Sequence, residues 1–345
     1  MSDKPMRGSA LTRVMMWIVL LAAAAVAIYG WADFSRFSKA PLNVPIQGSS
    51  IDISRGTSFK SIVGDLRQRQ LTGANPLYWR ALAEQMHVAG KLHAGEYAVV
   101  PGMTPRQLLQ NMANGKVVQR NFTIVDGWSF AELRQALATA DELEHNSAGL
   151  DNAAIMEKIG AGGEAPEGRF LPETYAYVKG DGDLDILKRA HAAMTKTLAE
   201  LWPERAKDLP LTTPYEALVL ASIVEKETGV PAERPQIAGV FVRRLQDHML
   251  LQTDPSVIYG MGAKYDGNIR KSDLTTDTPF NTYTRPGLPP TPIALPGKPA
   301  LEAALHPAAG DALYFVARGN GAHVFANSLE EHNRNVDCYQ RKRCR

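Results

Sequence analysis

Two carboxylates stand in an otherwise apolar stretch, Leu220-Ala221-Ser222-Ile223-Val224-Glu225-Lys226-Glu227-Thr228-Gly229. A carboxyl group that loses water is harder to ionise, so its pKa rises toward the range where a general acid works at neutral pH. Upstream, Thr213-Pro214-Tyr215-Glu216 has the pattern of a capping box with proline at the first helical position, which fixes where a helix begins. Gly229 and Pro231 mark its end. At about 100° per residue, Ala217, Leu220, Ala221 and Val224 share one face, with Glu227 beside Leu220 and Glu225 beside Ala221. Both acids therefore border the buried face. They lie about 160° apart around the helix and cannot both enter one groove, and helix geometry alone leaves the choice between them open.

Two downstream stretches carry groups that can orient a ligand. Leu251-Gln252-Thr253-Asp254-Pro255 offers an amide, a hydroxyl and a carboxylate, and Asn281-Thr282-Tyr283 an amide, a hydroxyl and a phenol. Asn and Asp also bond within their own loops, and tyrosines are often half-buried, so each residue has a structural reading beside the ligand-binding one. From Pro279 to Pro299 seven prolines surround Asn281-Thr282-Tyr283 and Gly287-Leu288-Pro289-Pro290, which predicts a stiff, extended surface loop suited to a groove wall. The eight histidines form no His-Glu-x-x-His pair, and neither a Gly-x-Ser-x-Gly elbow nor a phosphate-binding glycine loop is present. Zinc protease, triad hydrolase and nucleotide-binding classes lose their sequence support, and no metal or other cofactor is called for.

These groups need a scaffold, and 345 residues suffice for two domains plus accessory segments. Val14 to Trp31 is an uncharged apolar run of eighteen residues, about the length that spans a bilayer. Lys4, Arg7 and Arg13 precede it, which places residues 1–13 in the cytoplasm and the remainder across the membrane. Ala25-Val26-Ala27 resembles a signal-peptide cleavage site, but the run continues past it to Tyr29 and Trp31, which favours an uncleaved anchor at 14–31. A net charge of +2 gives no electrostatic case for nucleic acid. Cys338 and Cys344 are spaced to close a small disulfide loop in an oxidising compartment, or to stay reduced.

The body reads as α+β. After a linker at 32–43, Ile51 and Ile53 alternate as in a strand, and Phe59, Ile62, Val63 and Leu66 recur at helical spacing. A second helix is expected from Pro76 to His87, a strand at 95–100 and a helix after Pro105. Strand, Gly-Thr-Ser turn and helix are similar to the opening of LysM modules, which bind N-acetyl sugars, so 44–120 resembles a small LysM-like domain. A larger domain, 121–345, follows. It opens with a strand at Phe122, Ile124 and Val125, then a helix from Phe130 to Ala140, a glycine-rich loop at 160–168, a shaped loop from Glu167 to Tyr175 and a helix from Leu184 to Leu201. A β-hairpin at 313–317 and 323–326 and a helix from Ser328 close it.

Taken in order, Glu225-Lys226-Glu227-Thr228, Leu251-Gln252-Thr253-Asp254-Pro255, Asn281-Thr282-Tyr283 and Gly287-Leu288-Pro289-Pro290 resemble the endolytic murein transglycosylase family. The anchor, the LysM-like segment, the block from Glu167 to Tyr175, His306-Pro307 and Tyr314-Phe315-Val316-Ala317 extend the resemblance over nearly the whole exported chain. It implies a single-pass protein of the bacterial inner membrane with a periplasmic body. Such a protein cleaves nascent peptidoglycan strands between N-acetylmuramic acid and N-acetylglucosamine, leaves 1,6-anhydro ends and limits strand length beside the peptidoglycan polymerases. The resemblance places the catalytic acid, on a lysozyme-like helix, at Glu227. Glu225 is the alternative acid, and Gln252, Thr253, Asp254, Asn281, Thr282 and Tyr283 are candidate glycan-binding residues. A hydrolytic muramidase and a non-catalytic glycan-binding scaffold are the competing expectations.

Overall fold

The computed structural model describes residues 10–343. Residues 1–9 of the expected cytoplasmic segment, with Lys4 and Arg7, lie outside the described residues, as does Cys344 and with it the choice between a disulfide loop and reduced cysteines. The architecture mixes helices with short strands in two compact units, 1–119 and 120–345.

The first unit begins with helix α1 (Ala10–Lys39), whose membrane-length apolar part is exposed and fits a membrane anchor or a signal sequence. The helix does not stop at Trp31. Residues 32–39, read from the sequence as linker, continue it because Phe34 and Phe37, three apart, turn toward Tyr78 and Trp79, while Tyr78 donates a 2.7 Å hydrogen bond to Asp33. Next come β1 (Ser49–Ile53), α2 (Phe59–Gln68), α3 (Pro76–Gln85), β2 (Gly95–Val99) and α4 (Pro105–Ala113). Strands β1 and β2 pair antiparallel, with Ile51 opposite Tyr97. Ile51, Ile53, Tyr97 and Val99, at alternate positions, bury against Ile62 and Leu66 of α2, Trp79 and Leu82 of α3 and Leu108 of α4. Ser58, Asn75 and Thr104 cap the three helices with their side chains.

The second unit opens with β3 (Gln119–Thr123), which lies earlier than the expected strand because Ile124 leaves the strand to fill the core, its amide donating to Glu173. Then follow α5 (Phe130–Leu137), α6 (Asn152–Lys158), β4 (Thr174–Val178) and α7 (Asp183–Leu201). β3 and β4 form a two-stranded sheet, so Thr174 and Tyr175, expected in a loop, are strand. This half buries Phe130, Leu133, Ile155, Phe170 and Ile186 in one cluster.

Helix α8 (Pro214–Glu227) is the centre of the second cluster, and every residue from Ala217 to Val224 is buried. The capping box is present: Thr213 accepts from the Glu216 amide while the Glu216 carboxylate accepts from the Thr213 amide. The one polar residue inside, Ser222, donates to the Val219 carbonyl at 2.7 Å and accepts from the Ile293 amide at 3.0 Å, so its hydroxyl is satisfied. Around α8 pack α9 (Arg234–Gln246), α10 (Asp254–Met261) and, after the short α11 (Lys271–Thr275), α12 (Lys298–Leu305). Helix α12, not anticipated from the sequence, lies along α8 through Ala300, Leu301, Ala304 and Leu305. The unit ends with the antiparallel hairpin β5 (Tyr314–Ala317) and β6 (His323–Ala326) and with α13 (Leu329–Tyr339).

The proline-rich segment is only partly the expected surface loop. Residues 292–297 are buried: Ile293 joins the α8 cluster and Leu295 the other, and Leu295 exchanges backbone hydrogen bonds with Gly127 and Trp128. The apolar Ile293-Ala294-Leu295 core outweighs the surface tendency of its proline flanks.

Candidate active site

Glu227 is the last residue of α8, where the helix breaks into the extended Thr228. It lines a cleft of about 420 Å³ together with Arg244, Gln252, Asp254, Tyr283, Tyr314, His323 and His332. Burial pushes the Glu227 carboxyl up to about 7, and the negative charge of Asp254 acts in the same direction. The hydrogen bond from Thr253 and the charge of Arg244 oppose the rise without cancelling it. Thr253 Oγ1 donates to Glu227 Oε1. No residue among those described bonds Oε2, which opens onto the cleft. A carboxyl group held at one oxygen and free at the other directs its proton outward.

Thr253 is placed by strain next to it. Gln252 has φ +49°, unusual for a residue with a side chain, and its amide is fixed to the Thr282 carbonyl at 3.1 Å. This turns the chain so that Thr253 begins α10 with its hydroxyl on Glu227, and the usual side-chain cap of the helix is not made. The Thr253 amide donates to Thr282 Oγ1 at 3.0 Å, and Ser256 Oγ, 2.9 Å from Thr282 Oγ1, donates to the Thr253 carbonyl at 2.8 Å. Asn281 donates through its amide nitrogen to the carbonyls of Asp273, Leu274 and Thr276.

The structure thus brings Glu227, Gln252, Thr253, Asp254 and Tyr283 together and leaves two candidates behind the wall. Asn281 and Thr282 are 1% and 2% exposed, and their polar atoms are engaged within the protein. Tyr283 donates to Asp254 Oδ1 at 2.6 Å, and burial, followed by this bond, raises the phenol pKa.

Sequence reasoning missed Arg244, His323 and His332 because no motif contains them. The signal for Arg244 was a charge on the Ile237, Val240, Phe241 helix face. It is 7% exposed, donates to the carbonyls of Leu313, Leu250 and Leu251, and sits 5.0 Å over the Tyr314 ring. His332 stacks against the same Tyr314 ring, at 5.2 Å, and burial followed by the Arg244 charge lowers its pKa.

Glu225 has a different environment. Its side chain, 5% exposed, accepts from Arg234 at 3.1 Å through Oε1 and from the Gly297 amide at 3.1 Å through Oε2. Both oxygens are engaged, one of them in a charge-assisted bond from the guanidinium.

A second acid, Glu167, stands beside a larger groove of about 1300 Å³ that also takes in Phe130, Lys226, Tyr259, Tyr265 and Phe280. Burial pushes its carboxyl up to about 7 as well. Its Oε1 accepts from the Phe130 amide and its Oε2 from the Tyr259 hydroxyl, each at 3.0 Å. Like Glu225, it has no oxygen left over, and the arrangement joins α5 to α10. The neighbouring Gly168 has φ +77°, and a Cβ there would come within 2.5 Å of Pro292. Burial joined to a single tether and a free oxygen singles out Glu227.

A family model described as the YceG-like family matches residues 51–338. An endolytic murein transglycosylase of Bacillus subtilis is 30% identical over 315 residues, covering 84% of both chains. An endolytic murein transglycosylase of Streptococcus pneumoniae is 29% identical over 280 residues, 71% of this chain and 50% of that protein. The crystal structure of a YceG-like protein from Listeria monocytogenes superposes with TM-score 0.54 at 28% identity, covering 83% of this chain and 98% of the other. The chain belongs to the YceG-like family of enzymes.

Proposed function

We propose that this protein is a lytic transglycosylase that cuts peptidoglycan glycan strands internally, between N-acetylmuramic acid and N-acetylglucosamine. The observation that carries the reading is the state of Glu227, a carboxyl raised to about 7 with one oxygen tethered by Thr253 and the other open to the cleft. The names of the relatives supply the substrate class.

Glu227 Oε2 gives its proton to the glycosidic oxygen as the C1–O bond of the muramoyl residue breaks through an oxocarbenium-like state. The C6 hydroxyl oxygen of the same sugar then bonds to C1, and its proton passes to the Glu227 carboxylate, which regenerates the acid. Atoms balance without water, and one carboxylate suffices because the nucleophile belongs to the substrate. Glu225 does not take the role, being an ion-pair partner of Arg234. Gln252, Asp254 and Tyr283 line the cleft and bind the glycan, while Thr253, Asn281 and Thr282 hold the wall.

The reading extends to the rest of the chain. Helix α1 anchors the protein in the inner membrane with residues 1–13 cytoplasmic and the body periplasmic. Residues 44–120 act as a LysM-like sugar-binding module, supported by the paired strands β1 and β2 with α2 and α3 between them. Residues 121–345 form the catalytic domain. Acting beside peptidoglycan polymerases, the enzyme ends strand elongation. Asp254 favours a second reading, hydrolysis by a muramidase, because a second carboxylate in the cleft is a candidate base for water. Incubating purified strands with the wild type and with Glu227→Gln, then weighing the new ends, tests the proposal: anhydro ends from the wild type alone support it, and anhydro ends from both overturn it.

A further inference from the structure

The cleft wall contains one imidazole whose tautomer is fixed. His323, the first residue of β6, donates its backbone amide to Glu233 Oε1 at 2.9 Å, and its ring Nδ1 lies 2.8 Å from Glu233 Oε2. Burial alone would raise the Glu233 carboxyl, but the hydrogen bonds from the His323 amide and ring, with the charge of the ring when protonated and the bond from Thr228, together outweigh it and lower its pKa. An ionised carboxylate only accepts, so Nδ1 must carry the proton, and in the neutral ring Nε2 then presents a lone pair. Both side chains are largely buried, at 11% and 13% exposure, and the rings of Phe315 and His323 pack edge to face, 5.5 Å apart at 87°. The ring is therefore held in plane as well as in tautomer. Nε2 has no partner among the described residues and is not sealed from solvent, and His323 lines the same cleft as Glu227. Glu233 also lies 3.5 Å from Thr228 Oγ1, next in the chain to Glu227.

We propose that His323 is a substrate-recognition residue of the Glu227 cleft, its Nε2 accepting a hydrogen bond from the acetamido N–H of an N-acetylated sugar, with Glu233 as the positioning residue that sets the tautomer. The inference rests on the reading of the cleft as a glycan site and adds what that site selects. An acetamido N–H can only donate, so it requires an acceptor at a fixed place, whereas a hydroxyl would be satisfied by either tautomer. The acceptor orientation that Glu233 enforces therefore suits the acetamido N–H, which the opposite tautomer would leave unpaired. Every sugar of such a strand carries the group.

The test measures binding apart from cleavage, in the full chain carrying Glu227→Gln. The affinity is read by calorimetric titration with uncrosslinked N-acetylated glycan strands. Adding His323→Asn keeps a donor for Glu233 and removes the acceptor at the Nε2 position. It should weaken binding of the N-acetylated strands about tenfold, the size of one lost hydrogen bond in a partly desolvated site. His323→Gln, whose amide reaches the Nε2 position, should restore part of the affinity. Glu233→Gln lets the side chain donate to Nδ1, which moves the ring proton to Nε2 and should reproduce the loss. Unchanged affinity in His323→Asn at unchanged Tm overturns the recognition claim, and wild-type affinity in Glu233→Gln overturns the tautomer claim. Anhydro products are scored separately with the unmutated enzyme, so failure of the catalytic reading would leave these binding results distinct.

Discussion

Thr253 donates its hydroxyl to Glu227, joining the start of one helix to the end of another at the carboxyl group with the open oxygen. The bond fixes which oxygen holds the proton and partly offsets the rise that burial imposes. Thr253→Val keeps the shape and removes the donor. It should lower kcat about 100-fold, the cost of a misplaced catalytic group, and raise the pKa that limits activity at high pH. Thr253→Ser should recover most of the activity. A pH-rate profile of the three proteins checks both effects.

Glu225 and Glu227 stand two residues apart yet should respond oppositely to replacement. Glu225→Ala leaves the largely buried Arg234 without its carboxylate and the Gly297 amide without an acceptor, and should cost about 3 kcal/mol of stability. Molecules that fold should still cleave, since this carboxylate is turned to Arg234. Urea unfolding paired with activity per folded molecule separates the two outcomes.

Stability should depend on pH through the two carboxyls raised to about 7, Glu227 and Glu167. Each has a folded pKa above its unfolded value of about 4.5. The folded state therefore binds the proton more tightly, and the contribution is complete below about 4.5 and lost as the pH rises through about 7. Between these limits wild-type stability should fall by a few kcal/mol, and Glu167→Gln should flatten part of that slope. Unfolding free energies measured across this window supply the comparison.

Gly168 holds a left-handed conformation with Pro292 closing the space where a side chain would begin. Gly168→Ala should destabilise by about 2 kcal/mol or more, because both the backbone and the contact resist the change. The shift should spread to Glu167, whose bonds to Phe130 and Tyr259 depend on that turn. Tm and cleavage rate should fall together, whereas an unchanged Tm would show that Pro292 yields.

What the sequence disclosed follows the range of the interactions involved. The capping box at Thr213, the proline after it and the glycine turn of the β5–β6 hairpin act within a few residues, so those elements were legible. The apolar face of α8 was legible too, and it pointed to both glutamates. Separating them needed Arg234, Gly297 and Thr253, partners that lie 9, 72 and 26 residues away in the chain. Ile293-Ala294-Leu295 was misread because its proline flanks suggest a surface while its burial depends on two distant cores. Helix α1 was ended too early for the same reason, since Phe34 and Phe37 extend it by packing on Tyr78 and Trp79. Asn281 and Thr282 have the side chains of ligand-binding residues, and only their burial shows that they brace the loops behind Thr253.

The central claim is that Glu227 alone transfers the proton out and back while the sugar supplies its own nucleophile. The most direct measurement digests purified glycan strands in oxygen-18-labelled water with the wild type and with Glu227→Gln, and records the mass of every new muramoyl end. The account predicts wild-type ends one water lighter than a reducing sugar and free of label, and no new ends from the variant. Labelled, full-mass ends from the wild type, or cleavage by Glu227→Gln, would contradict it.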